Sequence, residues 1–145
     1  MKLIIINGPN LNMLGVREPE VYGKQTLNEI NDKIAAEAQR KGVSIDFYQS
    51  DSEGEIIKKI HSCQGVYDGI ILNAGALSHY SYALRDAIPI AGIPVVEVHI
   101  SNVYKRESFR QKSVISAVCQ GVICGFGIKG YLMALYYFTE EKYEG

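Results

Sequence analysis

GIILNAGALSH, residues 69–79, begins as an apolar run and turns at once into amides, glycine, a hydroxyl and an imidazole. Two other segments are built the same way. KLIII at 2–6 runs into Asn7-Gly8-Pro9-Asn10, and PVVEV at 94–98 runs into His99-Ile100-Ser101-Asn102. Short, nearly continuous runs of Ile, Val and Leu read as strands covered on both faces, which is how parallel sheets are buried. In such sheets the carboxyl ends of the strands open onto the ligand crevice. The three segments therefore deliver polar groups to one rim, where an active site without metal or nucleotide is expected.

Two further runs, Val43–Tyr48 and Gly121–Cys124, bring the strands to five, with helical patterns between them. Thr26-Leu27-Asn28-Glu29 and Ser52-Glu53-Gly54-Glu55 are capping boxes that start helices. Leu27, Ile30, Ile34, Ala35 and Ala38 continue the first at helical spacing, and Ile56, Ile57 and Ile60 the second. Ala83, Leu84, Ala87 and Ile88 mark a third helix ended by Pro89, and Tyr131 to Glu141 the last. Alternating β and α elements imply right-handed crossovers and a parallel sheet. At 145 residues this predicts one domain over 1–145, an α/β three-layer sandwich of flavodoxin-like type with strand order 2-1-3-4-5. Connections in such folds are short, so the stretch Asn7–Gln25 stands out as a lid or binding loop. It carries Arg17, Glu18, Glu20 and Tyr22, with Gly15 and Gly23 as hinge points.

Composition narrows the function. A hydrophobic content of 47% and a charged content of 21% suit a soluble globular domain. A net charge of −1 gives nucleic acid or an anionic membrane no bulk attraction. No apolar run approaches the roughly 18 residues of a membrane span. The opening MKLIII is too short for a signal-peptide core, so a cytoplasmic location is expected. Cys63, Cys119 and Cys124 form no C-x-x-C and read as buried thiols. His61, His79 and His99 lie too far apart for a metal cluster, so neither metal nor cofactor is expected.

Gly125-Phe126-Gly127-Ile128-Lys129-Gly130 matches G-x-G-x-x-G, yet no strand or acidic residue follows as a dinucleotide site requires. It reads as a turn with close helix packing. The first loop is too long and apolar to cradle a flavin phosphate, and strands ending in Asn7, Asn73 and His99 lack a receiver's aspartates. His79 and His99, beside Asn10, Asn73 and Ser101, suit proton transfer at neutral pH. Glu97 is expected on the strand face opposite His99, which leaves open whether it orients the imidazole. Arg106 and Arg110 share a face if their segment is helical, and with Arg17 they suit an anionic substrate. The set supports proton abstraction beside a carbonyl with acid assistance to a leaving group. On residue chemistry alone two readings remain open: an acid–base enzyme for a small anion, such as a lyase or hydratase for a hydroxylated acid, or a non-catalytic anion-binding module.

The chain closely resembles one family. NGPNLNMLGVREPEVYG at 7–23, QSDSEGEII at 49–57, ILNAGALSHYSYALRDA at 71–87, EVHISNVYKRESFR at 97–110 and GVICGFGIKGYLMAL at 121–135 are similar to type II 3-dehydroquinate dehydratase. The resemblance implies the fold above and a homododecamer of four trimers. It implies conversion of 3-dehydroquinate to 3-dehydroshikimate by anti elimination through an enolate, in the shikimate pathway. By position, Tyr22 would be the base, helped by Arg17, and Asn10 would hold a water at the enolate oxygen. His99 would be the acid, its imidazole held by Asn73. Ile100 and Ser101 would bind the carboxylate, and His79 and Arg110 the ring hydroxyls. Glu97 and Arg106 would support them, and Asp86 would reach a neighbouring subunit's site. Val16 and Leu77 depart from residues usual in the family. Ionising an ordinary tyrosine at pH 7 costs about 4 kcal/mol. A guanidinium about 4 Å away supplies roughly that much at an effective dielectric of 20.

Overall fold

The computed structural model describes residues 1–140. Five parallel strands, β1 (Lys2–Asn7), β2 (Ser44–Gln49), β3 (Gly69–Asn73), β4 (Val95–His99) and β5 (Gly121–Cys124), lie in the order β2-β1-β3-β4-β5. This is the expected flavodoxin-like sheet. The three central strands are buried almost throughout, whereas β2 and β5 at the edges are half-exposed. β5 has the expected bounds, β2 and β4 begin one residue later, and β1 to β4 each end one residue later than the sequence reading, because Asn7, Gln49, Asn73 and His99 still pair in the sheet.

The helices are α1 (Pro19–Tyr22), α2 (Leu27–Arg40), α3 (Glu53–Ser62), α4 (Tyr82–Ile90) and α5 (Lys129–Thr139). Both capping boxes form: Thr26 accepts from the Glu29 amide at 3.2 Å and Ser52 from the Glu55 amide at 3.3 Å. Strand alternation divides the core into two layers. Ile4, Ile6, Ile70 and Leu72 face α3 and α4, where Ile56, Ile60, Leu84 and Ile88 meet them. Ile5, Ile71, Val96 and Val98 face α2 and α5, against Ile30, Ile34, Tyr131 and Ala134.

Pro89 does not end its helix. It lies within the last turn of α4, where the missing N–H costs a single bond, and the chain leaves the helix at Ala91. Of the last predicted helix, Glu141 lies outside the described residues. The glycine motif at 125–130 is a turn, and Gly130 lets α5 settle against Val98 and Ile123 of the sheet.

The register brings Asn7 beside both Gln49 and Asn73. Just beyond, Gly8 donates to the Asn73 carbonyl at 2.8 Å, and a Cβ there would stand 2.5 Å from the Ala74 carbonyl oxygen. Only glycine lets the loops after β1 and β3 approach this closely. None of the described helices is long and apolar enough to cross a membrane.

Candidate active site

Four chain segments meet at the carboxyl end of the sheet around a narrow cavity of about 100 Å³. From the loop after β1 come Asn10, Arg17 and Tyr22, and from β3 and the 3-10 turn after it Asn73 and His79. β4 and its following turn supply His99, Ile100 and Ser101, and beyond them stand Arg106 and Arg110. A wider, adjoining cavity of about 610 Å³ shares His79, His99, Val103 and Arg110 and reaches Glu97. Asp86 lines neither cavity; it is exposed on α4.

The loop carrying Tyr22 is shaped by two backbone reversals. Gly15 and Gly23 both take left-handed φ values, +88° and +87°, and bracket Arg17 and the short helix α1. Pro19 at the first helical position presets that turn. Two cations then lie over the Tyr22 ring, the Arg17 guanidinium 5.2 Å and the Arg106 guanidinium 5.1 Å from its centre. Arg106 also donates to the Tyr22 hydroxyl at 2.6 Å and to the Ser101 hydroxyl at 3.3 Å. Thus Arg106, expected only in a supporting network, touches the phenol oxygen directly, while Arg17 covers the ring. Glu18 lies 3.5 Å from Arg17 and 4.0 Å from Arg106, partly balancing this double charge.

Arg106 and Arg110 do not share one helix. Residues 103–105 and 108–111 form two separate 3-10 turns, which nevertheless aim both guanidiniums at the cavity. Arg110 is held in place by Glu107, 3.0 Å from its Nε.

His99 is nearly buried, and its Nε2 donates to a carboxylate oxygen of Glu97. The expectation that Glu97 faces away is therefore corrected. Positions 97 and 99 are separated by Val98, and alternate residues of a strand share a face. The expectation that Asn73 holds the imidazole also needs correcting. Its amide donates instead to the Tyr131 hydroxyl at 2.9 Å and its carbonyl accepts from the Gly75 amide at 3.2 Å. Tyr131 in turn donates to Asn7 at 2.6 Å, so a buried Asn7–Tyr131–Asn73 chain ties α5 to the ends of β1 and β3. Burial pushes the Tyr131 hydroxyl well above the ordinary tyrosine range, which keeps it a neutral donor.

Burial alone would push the Glu97 carboxyl up. The bonds from His99 and Ser116, the His99 charge and the bond from Ser113 more than offset this and hold it below its ordinary value. His79 differs. Burial lowers its pKa, the positive neighbours His99 and Arg110 add to this, and the Lys112 carbonyl only partly compensates. Its Nδ1 donates to that carbonyl at 2.8 Å, and its ring stacks on His99 with centroids 6.3 Å apart. A neutral imidazole thus stands beside one bound to a buried carboxylate. Among the described residues no group of His, Cys, Asp and Glu could hold a metal ion.

Three members of this arrangement escape a reading of the sequence. Ser113 and Ser116 look like ordinary loop hydroxyls, and Tyr131 falls in the apolar stripe of α5. Their Ser-x-x-Ser spacing and the hydroxyl on a buried stripe are the only signals, and both are common.

Comparison with known proteins bears on the whole chain. The family model described as dehydroquinase class II matches residues 1–139. The 3-dehydroquinate dehydratase of Bacillus cytotoxicus is 54% identical over 140 residues, covering 97% of this chain and 96% of that protein. That of Bacillus mycoides is 54% identical over 143 residues, covering 99% and 98%. Among solved structures, the type II dehydroquinase of Butyrivibrio crossotus superposes with a TM-score of 0.94 at 46% identity, covering 97% of this chain and 98% of its own.

Proposed function

Because the chain belongs to the class II dehydroquinase family and is a hydro-lyase of that type, we propose that it dehydrates 3-dehydroquinate by acid–base chemistry between Tyr22 and His99. In this reading the Tyr22 phenolate removes the C2 proton, leaving an enolate. A water held by Asn10 stabilises the enolate oxygen. His99 protonates the departing C1 hydroxyl, which leaves as water, and the product is 3-dehydroshikimate. With Nε2 committed to Glu97, Nδ1 is the nitrogen left to serve the leaving group.

The observation that carries this reading is that Tyr22 and His99 line one cavity, each bound to a group of the charge its task requires. Guanidiniums favour the phenolate and a carboxylate favours the imidazolium. Ile100 and Ser101 are assigned to the substrate carboxylate, His79 and Arg110 to ring hydroxyls. Closure of the 15–23 segment over substrate would exclude water.

We further infer a single catalytic domain over residues 1–145, a cytoplasmic location, and a role in the shikimate pathway. Assembly into four trimers would cover Tyr80, Tyr82 and Ile90 of the α4 region and Val122 and Phe126 near β5, all large apolar residues left exposed in one chain. In that assembly Asp86 would reach a neighbouring copy's site.

The test is ultraviolet absorbance on mixing the purified protein with 3-dehydroquinate. The conjugated product absorbs where the substrate does not, so a rise is expected. No rise from folded protein would overturn the reading and leave an anion-binding module. The same assay separates the arginines. Arg106→Gln, which removes the direct bond to the phenol oxygen, is expected to lower kcat by about a hundredfold. Arg17→Gln, which removes only the charge over the ring, is expected to cost about tenfold. The reverse order would return the activating role to Arg17.

A further inference from the structure

Glu97 is the one fully buried acid among the described residues, and its carboxylate is saturated with donors. One oxygen accepts from His99 and from the Ser113 hydroxyl at 2.9 Å. The other accepts from the Ser116 hydroxyl and, at 3.2 Å, from Ser113 again. The two serines are not equivalent. The Ser113 oxygen also accepts from the amides of Ile115 and Ser116, at 3.3 and 3.2 Å, and so shapes its own turn. The Ser116 hydroxyl makes its bond to Glu97 alone among the described residues.

We propose that Ser116, seconded by Ser113, is a positioning residue that sets the acidity of His99 by spreading the charge of Glu97. The inference rests on the assignment of His99 as the proton donor. A buried carboxylate with few donors concentrates its charge on the one cation it touches and holds that proton tightly. Each hydroxyl that donates to it draws off part of that charge, so the imidazolium gives up its proton more readily. The serines therefore keep Glu97 ionised while preventing it from making His99 a poor acid.

The other groups facing this pair do not supply that control. His79, stacked on His99, is kept neutral by burial at working pH. Arg106 and Arg110 share the cavity with His99, but they are permanently charged, and Glu18 and Glu107 lie beside them on the exposed side. The Cys119 thiol, between the 116–118 turn and β5, is pushed up to about 12 by burial and then by the Glu97 charge, and stays protonated. Lys112 meets His79 through its carbonyl and is exposed.

The experiment compares Ser116→Ala, Ser116→Cys and Ser116→Thr in the intact protein. Histidine-selective 13C NMR follows the three imidazoles, and the pH profile of kcat is recorded alongside. Ser116→Ala is expected to raise the His99 midpoint by about one pH unit, since one donor to a charged group is lost. The alkaline limb of kcat should move up equally, with kcat at its plateau about threefold lower and KM unchanged. Cys fills the same space with a poor donor and should behave as Ala does, while Thr restores the wild-type profile. A midpoint and limb that stay at wild-type values in Ser116→Ala overturn the proposal. So does a raised KM with an unmoved profile, which would mark Ser116 as packing alone. If the NMR midpoint moves and the kcat limb does not, control by Ser116 stands and the assignment of His99 as the acid fails.

Discussion

Tyr22→Phe is expected to lower kcat by about a thousandfold while leaving substrate affinity within a few-fold of wild type. A positioned general base contributes about 10²–10⁴ in rate, and the phenol oxygen is the only part of the residue the substitution removes. The ring keeps its place under Arg17 and Arg106, because both guanidiniums also lie over it. Arg106, having lost its bond to the hydroxyl, still donates to Ser101 and lies near Glu18, so it is not stranded. The absorbance assay gives the rate, and calorimetric titration with a non-reacting cyclic hydroxy acid gives the affinity. A loss below tenfold would move the base elsewhere. A loss confined to KM would mean that Tyr22 binds and does not abstract.

Glu97→Ala should destabilise the fold by about 3–5 kcal/mol, the cost of removing one partner from a buried charged pair. It strands His99 and two serine hydroxyls in the interior at once. Glu97→Gln, which keeps the shape and some of the bonds, should cost less at neutral pH and yet abolish most of the activity. The pH dependence carries the sign. Because the folded protein holds the Glu97 carboxyl below its unfolded value, its stabilising contribution is complete above the ordinary carboxylate range. It is lost as the pH falls through the lowered folded value. The stability gap between wild type and Glu97→Gln, measured by denaturant titration, should therefore narrow as the pH drops below about 4.5, the ordinary value. A gap that stays constant into acid would mean that Glu97 carries its proton at neutral pH.

Both predictions turn on residues whose types and strand-end positions can be read in the chain, but whose partners cannot. His99 and Asn73 announce themselves because they break continuous apolar runs at strand ends. Glu97 announces itself too, as a charged residue within a buried strand, but the sequence reading sets it on the face opposite His99, whereas a separation of two residues puts both on one face. The serines that hold it come from the loop after Arg110, and nothing in their local sequence directs them to β4. Arg106 and Tyr22 are 84 residues apart, and Asn7 and Tyr131 are 124 apart. Asn73 shows the cost of that distance. The family resemblance implies an imidazole partner for it, but Tyr131 arrives from α5 and takes the amide.

The sequence by itself determined the layered sheet, its strand order, the helix starts at Thr26 and Ser52, and the rim where the chemistry sits. The strands follow from short continuous apolar runs, the helices from a period of 3.6 residues and caps that act within one turn, and the strand order from the alternation of the two with right-handed crossovers. Only the tertiary structure decided which guanidinium meets the phenol, which carboxylate holds the imidazole, and which hydroxyls hold the carboxylate. The first and last of these bonds join side chains brought together by how the 100–118 segment packs onto the sheet, and the second forms within β4, where the pleat gives one face but not the contact. A hydrogen bond forms or fails within about half an ångström, a tolerance that no residue pattern along the chain encodes.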